Sequence, residues 1–225
     1  MTEPPAPARP SATVVLLREA AAGPEVLLLK RNDRIVFHGG EWVFPGGRVE
    51  SGDADGDVFA IDAARRAAVR ETREEADVEI SAADVVPIAH WTTPLHMPKR
   101  FSTWFFAVRV PRLEVAVDGG EIMAHRWVAP EQALRARASG EIGLPPPTFL
   151  TLLELAAFPS AEAYLEAAGV REPVRFFPRY REVLGGPCSL LEGDVAYEGA
   201  PLEAEGPRHR IWLPSGGEWR YERRS

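Results

Sequence analysis

The sequence predicts a mixed α/β (α+β) fold, and three observations carry that expectation. Runs of branched and aromatic residues with strand character fill most of the first two-thirds of the chain. One run without Gly or Pro, starting at Asp62, has the alanine, arginine and glutamate composition of a helix. Shorter helical patterns follow the proline cluster at 144–147, and a Gly- and Pro-rich stretch with two more strand patterns closes the chain.

In order, "TVVLL" (13–17) and "EVLLLK" (25–30) read as adjacent strands joined at the turn signal "AAAGP". "EWVF" (41–44) is a short strand that stops at Pro45-Gly46-Gly47, because proline has no N–H for a ladder and glycine permits positive φ. The helical run "DAARRAAVRETREEA" (62–76) takes Asp62 as its N-cap. "DVVPIAHW" (84–91), "STWFFAVRV" (102–110) and "IMAHRWV" (122–128) are further strands, and Trp42, Trp91, Trp104 and Trp127 in these patterns read as core. A helix in "APEQALRARASG" starts at Pro130 and stops at Gly140. "TFLTLLELAAF" and "SAEAYLEAAG" are two short helices, and "HRIWLPSGGEWRYE" holds two strands around a Ser-Gly-Gly turn.

With 225 residues, 45% hydrophobic and 26% charged, the chain can build one sizeable core and a small appended subdomain. A net charge of −7 and a pI near 5.4 argue against a nucleic-acid surface, which needs a basic stripe. They leave room for a phosphate-bearing small molecule, because a divalent cation can supply positive charge. The single cysteine, Cys188, excludes an intrachain disulfide and fits a reducing, cytoplasmic compartment. The first dozen residues lack the apolar region of a signal peptide and read as a disordered lead-in. No apolar run approaches the roughly 18 residues needed to span a bilayer, so a soluble chain without a membrane partner is expected.

The informative stretch runs from 44 to 78, "FPGGRVESGDADGDVFAIDAARRAAVRETREEADV". Glu71, Glu74 and Glu75 stand at i, i+3 and i+4, so their carboxylates share one helix face. Like charges at this spacing cost only about 0.2–0.5 kcal/mol when solvated, so an exposed acidic face with Arg70 and Arg73 as counter-ions is the plain alternative. The "FPGG" turn upstream adds backbone carbonyls. Three carboxylates and a carbonyl form a hard-oxygen set suited to Mg²⁺ or Mn²⁺, and such a site meets the needs of diphosphate hydrolysis.

These residues resemble the signature of the Nudix hydrolases, G-x5-E-x7-R-E-U-x-E-E-x-G-U, where U is a bulky aliphatic residue. Gly47 matches the first glycine, Asp53 the first acid, "RETREE" (70–75) the centre and Val78 the last aliphatic position. Asp53 stands for Glu, Thr72 for an aliphatic residue and Asp77 for glycine. Residues 54–69 form a gap of 16 where the signature has 7, so nine residues are inserted. The resemblance extends over residues 12–138 and includes "EIMAHRWVAPEQAL" after the box.

The resemblance implies a mixed sheet sandwiched between helices, with the box helix and its turn at the sheet edge. It implies a domain at 12–140 after a disordered tail at 1–11, and an extension at 141–225, helical and with a β-hairpin, packed on the same domain. Glu71, Glu74 and Glu75 would ligate the metal, with Glu71 the first choice of base. Arg70 would orient the glutamates, while the Gly47 carbonyl and Glu121 are further candidate ligands. Arg31, at the end of the "LLLKR" strand, and Arg34 after it are candidate phosphate contacts. "DADGD" (53–57) is not a calcium loop, since Val58 and Ala64 fill positions that need Gly and Glu. The five histidines lack zinc spacing.

The interrupted box, "FHGGEWVFPGG" before it, and "LPPPTFLTLLELA" followed by "GPRHRIWL" are similar to the coenzyme A diphosphatase branch, which splits CoA or acyl-CoA into phosphopantetheine and 3′,5′-ADP. The upstream CoA-type pattern is partly met: Gly40 is in place, but Val36 occupies an arginine position and Arg34 falls two residues early. His209 and Arg210 would then meet a 3′-phosphate. Other substrates within the resemblance are ADP-ribose, NADH and other nucleoside diphosphates linked to X. A non-catalytic nucleotide sensor on the same fold, and a homodimer as the assembly, also stay open.

Overall fold

A computed structural model of the chain describes residues 5–35, 38–215 and 217–225. The expectations for residues 1–4, for Val36 and for Gly216 of the Ser-Gly-Gly turn lie outside those residues.

The chain runs β1 (Ala8–Ala20), β2 (Gly23–Arg31), β3 (Trp42–Val43), β4 (Gly46–Arg48), α1 (Ile61–Ala76), β5 (Val86–Thr92), β6 (Arg100–Arg109), β7 (Ile122–Val128), α2 (Pro130–Ala138), α3 (Pro146–Leu155) and α4 (Ala161–Gly169). It ends with β8 (Val174–Phe176), β9 (Arg179–Arg181), β10 (Cys188–Leu190), β11 (Arg208–Trp212) and β12 (Arg220–Arg224). The main sheet has the order β3-β2-β1-β6-β5-β8, with β4 also on β1 and β7 also on β2. It is mixed: β1 pairs β6 in parallel and β5 pairs β8 in parallel, while the other pairs are antiparallel.

Alternation in β1 and β2 splits the core into two layers. Val14, Leu16, Leu27 and Leu29 face α1 together with its alanines 63, 64, 67 and 68. Val15, Leu17, Val26 and Leu28 face the other way, toward Ala133, Leu152, Leu155 and Tyr164 of α2, α3 and α4. The period of two puts successive side chains on opposite faces, so one strand serves both layers. Small alanines let α1 sit close to the strands. The sandwich is therefore helix, sheet, helices.

Three expectations change. Residues 8–11 belong to β1 rather than to a disordered tail, because they pair with residues 100–103 of β6 and the Pro10 carbonyl accepts from the Val49 N–H at 3.0 Å. Asp62 is not the N-cap of α1; Ala60 is, without a side-chain cap, and Asp62 is the second helical residue. The "EWVF" strand stops before Pro45 as expected, but the glycines are not left unpaired, since Gly46–Arg48 forms a new strand on β1. The helix α1 lies over β1, β4 and β6 rather than at the sheet edge, because the middle of the sheet offers apolar surface on that side.

The C-terminal region holds more than a hairpin. β11 and β12 pair as the expected strands do, but β10 and β9 extend them to a four-stranded antiparallel sheet, and β8 joins the main sheet beside β5. Strands of three residues carry too little alternation to stand out in sequence. Among the described residues, no helix is long and apolar enough to cross a membrane.

Candidate active site

β4 and the C-terminal half of α1 build the site. Gly46 and Gly47 pair with Thr13 and Ala12, which presses β4 against the helix. A Cβ on Gly46 would stand 2.4 Å from the Ala12 carbonyl oxygen, and one on Gly47 would stand 2.2 Å from Glu71 Oε1. Close approach to the β1 backbone requires glycine at 46, whereas at 47 the obstructing atoms are the end of the flexible Glu71 side chain. The Glu71 carboxylate occupies the space a side chain at 47 would need.

Glu75 is buried, with 6% of its surface exposed, and its Oε2 accepts the Gly46 N–H at 2.9 Å. Burial pushes its carboxyl up to about 8 against the Gly46 hydrogen bond and nearby Arg31; Glu71 and Glu121 push the same way. Burial also raises Glu71, offset by Arg70 and reinforced by Glu74 and Glu121. Glu74 is the exposed member, with its side chain 57% accessible. Four carboxylates thus share one electrostatic neighbourhood.

Arg70 organises them. Its Nη1 donates to Glu71 Oε1 at 2.9 Å and to Glu74 Oε2 at 3.1 Å, and its Nη2 donates to the Arg48 carbonyl at 2.9 Å. Its Nε and Nη2 also grip Asp53 at 3.2 and 3.0 Å. Burial alone would raise the Asp53 carboxyl, but the Arg70 hydrogen bond, the Glu50 N–H and the charge of Arg66 hold it below the usual carboxylate range. α1 starts at Ile61, so the loop at 54–60 leads from Asp53 into the helix and Asp53 still reaches Arg70.

The other departures from the signature have local solutions. Thr72 is buried and donates its hydroxyl back to the Ala68 carbonyl at 2.7 Å, which leaves its methyl for the core. Asp77 caps α1 in the left-handed region at φ 53, as glycine would.

Glu121 and Arg31 pair with each other near enough to the box for Glu121 to act on Glu71 and both to act on Glu75. A bulge between Lys30 and Arg31 ends the regular β2–β7 register, and Arg31 Nη2 meets Glu121 Oε1 at 2.5 Å. Asp118 shapes the Glu121 loop by accepting the N–H of Glu121 at 3.0 Å and of Ile122 at 2.8 Å. Asn32 adds a bond to the Gly120 carbonyl at 2.9 Å. The "DGGE" turn was the only sequence signal for Asp118. Arg34 is exposed in the turn after β2, where its N–H donates to Asn32 Oδ1 at 3.1 Å.

His209 and Arg210 lie on β11 of the C-terminal sheet. Arg210 is 1% exposed and forks onto Asp194 at 2.7 and 2.6 Å, so its guanidinium is consumed inside the C-terminal sheet. His209 is held by the Glu192 carbonyl at 2.7 Å and packs against Phe176 and Tyr221. Its neighbour Ile211 joins the apolar layer on the face away from α1. Arg210 is not free to meet a phosphate in this arrangement.

The donor set fits a hard divalent cation. Every candidate ligand, Glu71, Glu74, Glu75, Glu121 and the Gly47 carbonyl, presents oxygen, and Gly47 makes the cradle a side chain would fill. Among the described residues no three acidic, histidine or cysteine side chains already converge as a metal cage. The carboxylates are turned instead onto Arg70 and the Gly46 N–H.

Residues 7–145 match the NUDIX domain family. Nudix hydrolase 7 of Caenorhabditis elegans is 28% identical over 204 residues, covering 74% of this chain and 66% of its own length. The human acyl-coenzyme A diphosphatase NUDT19 is 32% identical over 114 residues, covering 48% of this chain and 30% of its own. The chain thus spans less than two-thirds of either relative. A crystal structure of a NUDIX hydrolase from Alicyclobacillus acidocaldarius superimposes with a TM-score of 0.64 at 25% identity, over 74% of this chain and 99% of that one. With the box glutamates, the Asp53–Arg70 clamp and the flanking strands all in place, the chain belongs to the Nudix family, hydrolases of pyrophosphate bonds that generally use divalent metal ions.

Proposed function

We propose that the protein is a Mg²⁺- or Mn²⁺-dependent hydrolase that cleaves the diphosphate linkage of a nucleoside diphosphate linked to X, with CoA or acyl-CoA as its substrate class. The observation that carries the reaction is the packing of the Glu71 carboxylate into the space over Gly47, beside buried Glu75. Only a positive partner makes such crowding of carboxylates useful.

Glu71, Glu74 and Glu75 hold the cation, with the Gly47 carbonyl and Glu121 completing the oxygen set. The chemistry a divalent cation supplies there is neutralisation of phosphoryl charge and acidification of water. Glu71, oriented by Arg70 Nη1, accepts the proton of the attacking water. Arg31, paired with Glu121, exchanges that carboxylate for a substrate phosphate on this reading. Arg34, exposed on the adjoining turn, is a second phosphate contact. The CoA class is supported by 32% identity to the human acyl-coenzyme A diphosphatase and by the insertion within the box. Buried Cys188, a thiol that burial pushes up to about 11, suits a reducing, cytoplasmic setting.

Phosphorus NMR of product formation tests this on CoA, acetyl-CoA, ADP-ribose, NADH and nucleoside triphosphates. Reactions contain Mg²⁺ or Mn²⁺, or EDTA, with Glu74→Gln and Glu75→Gln variants beside the wild type. The expected result is metal-dependent cleavage, fastest on CoA or its thioester and lost in both variants. Faster cleavage of ADP-ribose or NADH would remove the CoA assignment. Tight nucleotide binding without cleavage would make the protein a sensor.

A further inference from the structure

Asp53 is held from two sides by two arginines one helical turn apart. Arg70 takes its carboxylate, at 3.2 and 3.0 Å. Arg66 takes its backbone: Arg66 Nε donates to the Asp53 carbonyl, and Arg66 Nη2 meets Asp55 Oδ2 at 3.2 Å. Residues i and i+4 on a helix share a face, so both guanidiniums reach the same loop.

We propose that Arg66 is a positioning residue for the metal-binding glutamates, acting through Asp53 and Arg70; the inference rests on the proposed metal-dependent reaction. Asp53 is one methylene shorter than the glutamate of the signature, and nine residues are inserted directly after it. Without an anchor, a short side chain at the mouth of a longer loop would leave Arg70 half-held. The backbone on the N-terminal side is fixed: the Glu50 N–H donates to Asp53 Oδ2 at 2.8 Å and the Asp53 N–H to the Glu50 carbonyl at 3.0 Å. On the C-terminal side, Arg66 on the Asp53 carbonyl is the matching hold. Arg66 lies one turn before Arg70 on α1, so the helix that carries Arg70 also anchors the start of the longer loop.

The consequence lies in how Arg70 divides its donors. Gripped by Asp53, Arg70 keeps Nε and part of Nη2 away from the glutamates and offers them Nη1 alone. Once Asp53 drifts, the whole guanidinium can close on Glu71 and Glu74 and compete with a cation for their oxygens. The Asp55 pair is a surface contact, with Asp55 93% exposed, and such pairs contribute little. The effective part is the bond to the Asp53 carbonyl.

Arg66→Gln, Arg66→Lys and Asp55→Asn are compared with the wild type by Mn²⁺ titration of the metal-free protein, followed by electron paramagnetic resonance, and by kcat and KM on the best substrate of the panel. Arg66 is 40% exposed in its side chain and lies off the alanine face, so the substitutions leave the core intact. Arg66→Gln is expected to weaken Mn²⁺ about tenfold and lower kcat about tenfold, with KM within about twofold, at the low end for groups that act on metal ligands indirectly. Arg66→Lys recovers most of both, because an ammonium can still donate to the carbonyl, and Asp55→Asn matches the wild type. Wild-type Mn²⁺ affinity in Arg66→Gln overturns the proposal. So does equal loss in Asp55→Asn, which would assign the effect to charge, or a Lys variant as weak as Gln. If the wild type cleaves nothing on the panel, the proposed function fails, while the Mn²⁺ titration still decides the role of Arg66.

Discussion

Two residues show how differently a close contact can matter. Gly47 gives up a side chain so that the Glu71 carboxylate can rest on the backbone. In Gly47→Ala the obstructing atoms are the far end of a flexible side chain, so folding is spared while Glu71 is displaced. Melting temperature is expected to change by only a few degrees, whereas kcat falls about a hundredfold, the scale of a misplacement of about 1 Å. Activity near the wild-type level would remove Gly47 from the site. Asp194 and Arg210 are the opposite case, a buried ion pair whose partners are 0% and 2% exposed and whose role is structural. Asp194→Asn leaves a buried guanidinium without its counter-charge and is expected to cost about 3–5 kcal/mol in urea unfolding. Although burial opposes ionisation, the Arg210 hydrogen bond and the His209 and Ala196 N–H groups hold the Asp194 carboxyl below its ordinary value. A folded pKa below the unfolded one stabilises the native state above about pH 4 and is lost as pH falls through the folded value. The difference in stability between wild type and Asp194→Asn is therefore expected to shrink below about pH 4 and stay constant from 5 to 8.

At the scale of elements, α1 and β1 carry the tests. α1 ends on Asp77 in the left-handed region, where a Cβ crowds the neighbouring carbonyl oxygen. Asp77→Gly removes that strain, and thermal melts are expected to show a gain of up to about 1 kcal/mol with kcat unchanged. A loss of stability would mean that the Asp77 side chain makes a contact of its own. β1 starts earlier than its composition suggests. Residues 8–11 pair with β6, Ser11 Oγ meets Thr103 Oγ1 at 2.7 Å, and the Ala6 carbonyl accepts from Arg100 Nη1 at 2.7 Å. A chain lacking residues 1–11 is expected to melt about 5 °C lower or more, since about 1 kcal/mol corresponds to roughly 2–4 °C at this size. An unchanged melting temperature would show that the first turn of pairing is dispensable. Composition hides this segment because Pro4, Pro5, Pro7 and Pro10 suggest disorder, yet proline is tolerated at strand starts and edges.

At the scale of the molecule, one apolar layer joins the extension to the main sheet. Ile211, Leu213 and Leu191 pack in the same cluster as Val15, Leu17, Val26 and Leu28. The extension is accordingly expected to unfold with the domain: urea transitions followed by tryptophan fluorescence and by far-ultraviolet circular dichroism should coincide. Two separated transitions would make the C-terminal sheet an independent unit.

By itself the sequence determined the class of fold, the long strands, α1 and the three glutamates on one face, because these depend on periodicity and spacing along the chain. It also carried the box through a nine-residue interruption, since Gly47 and an acid at 53 stand before it and "RETREE" after it. Tertiary structure alone decided where the candidate cations lie and what they pair with. Arg31 and Arg210 look alike in sequence, but a bulge turns one onto Glu121 and a buried aspartate consumes the other. It alone also revealed Arg66, Asp118, the short strands β8 to β10 and the place of α1 over the middle of the sheet. Each of these depends on contacts between segments distant in sequence, and the pattern along the chain holds no record of which partner a side chain will meet.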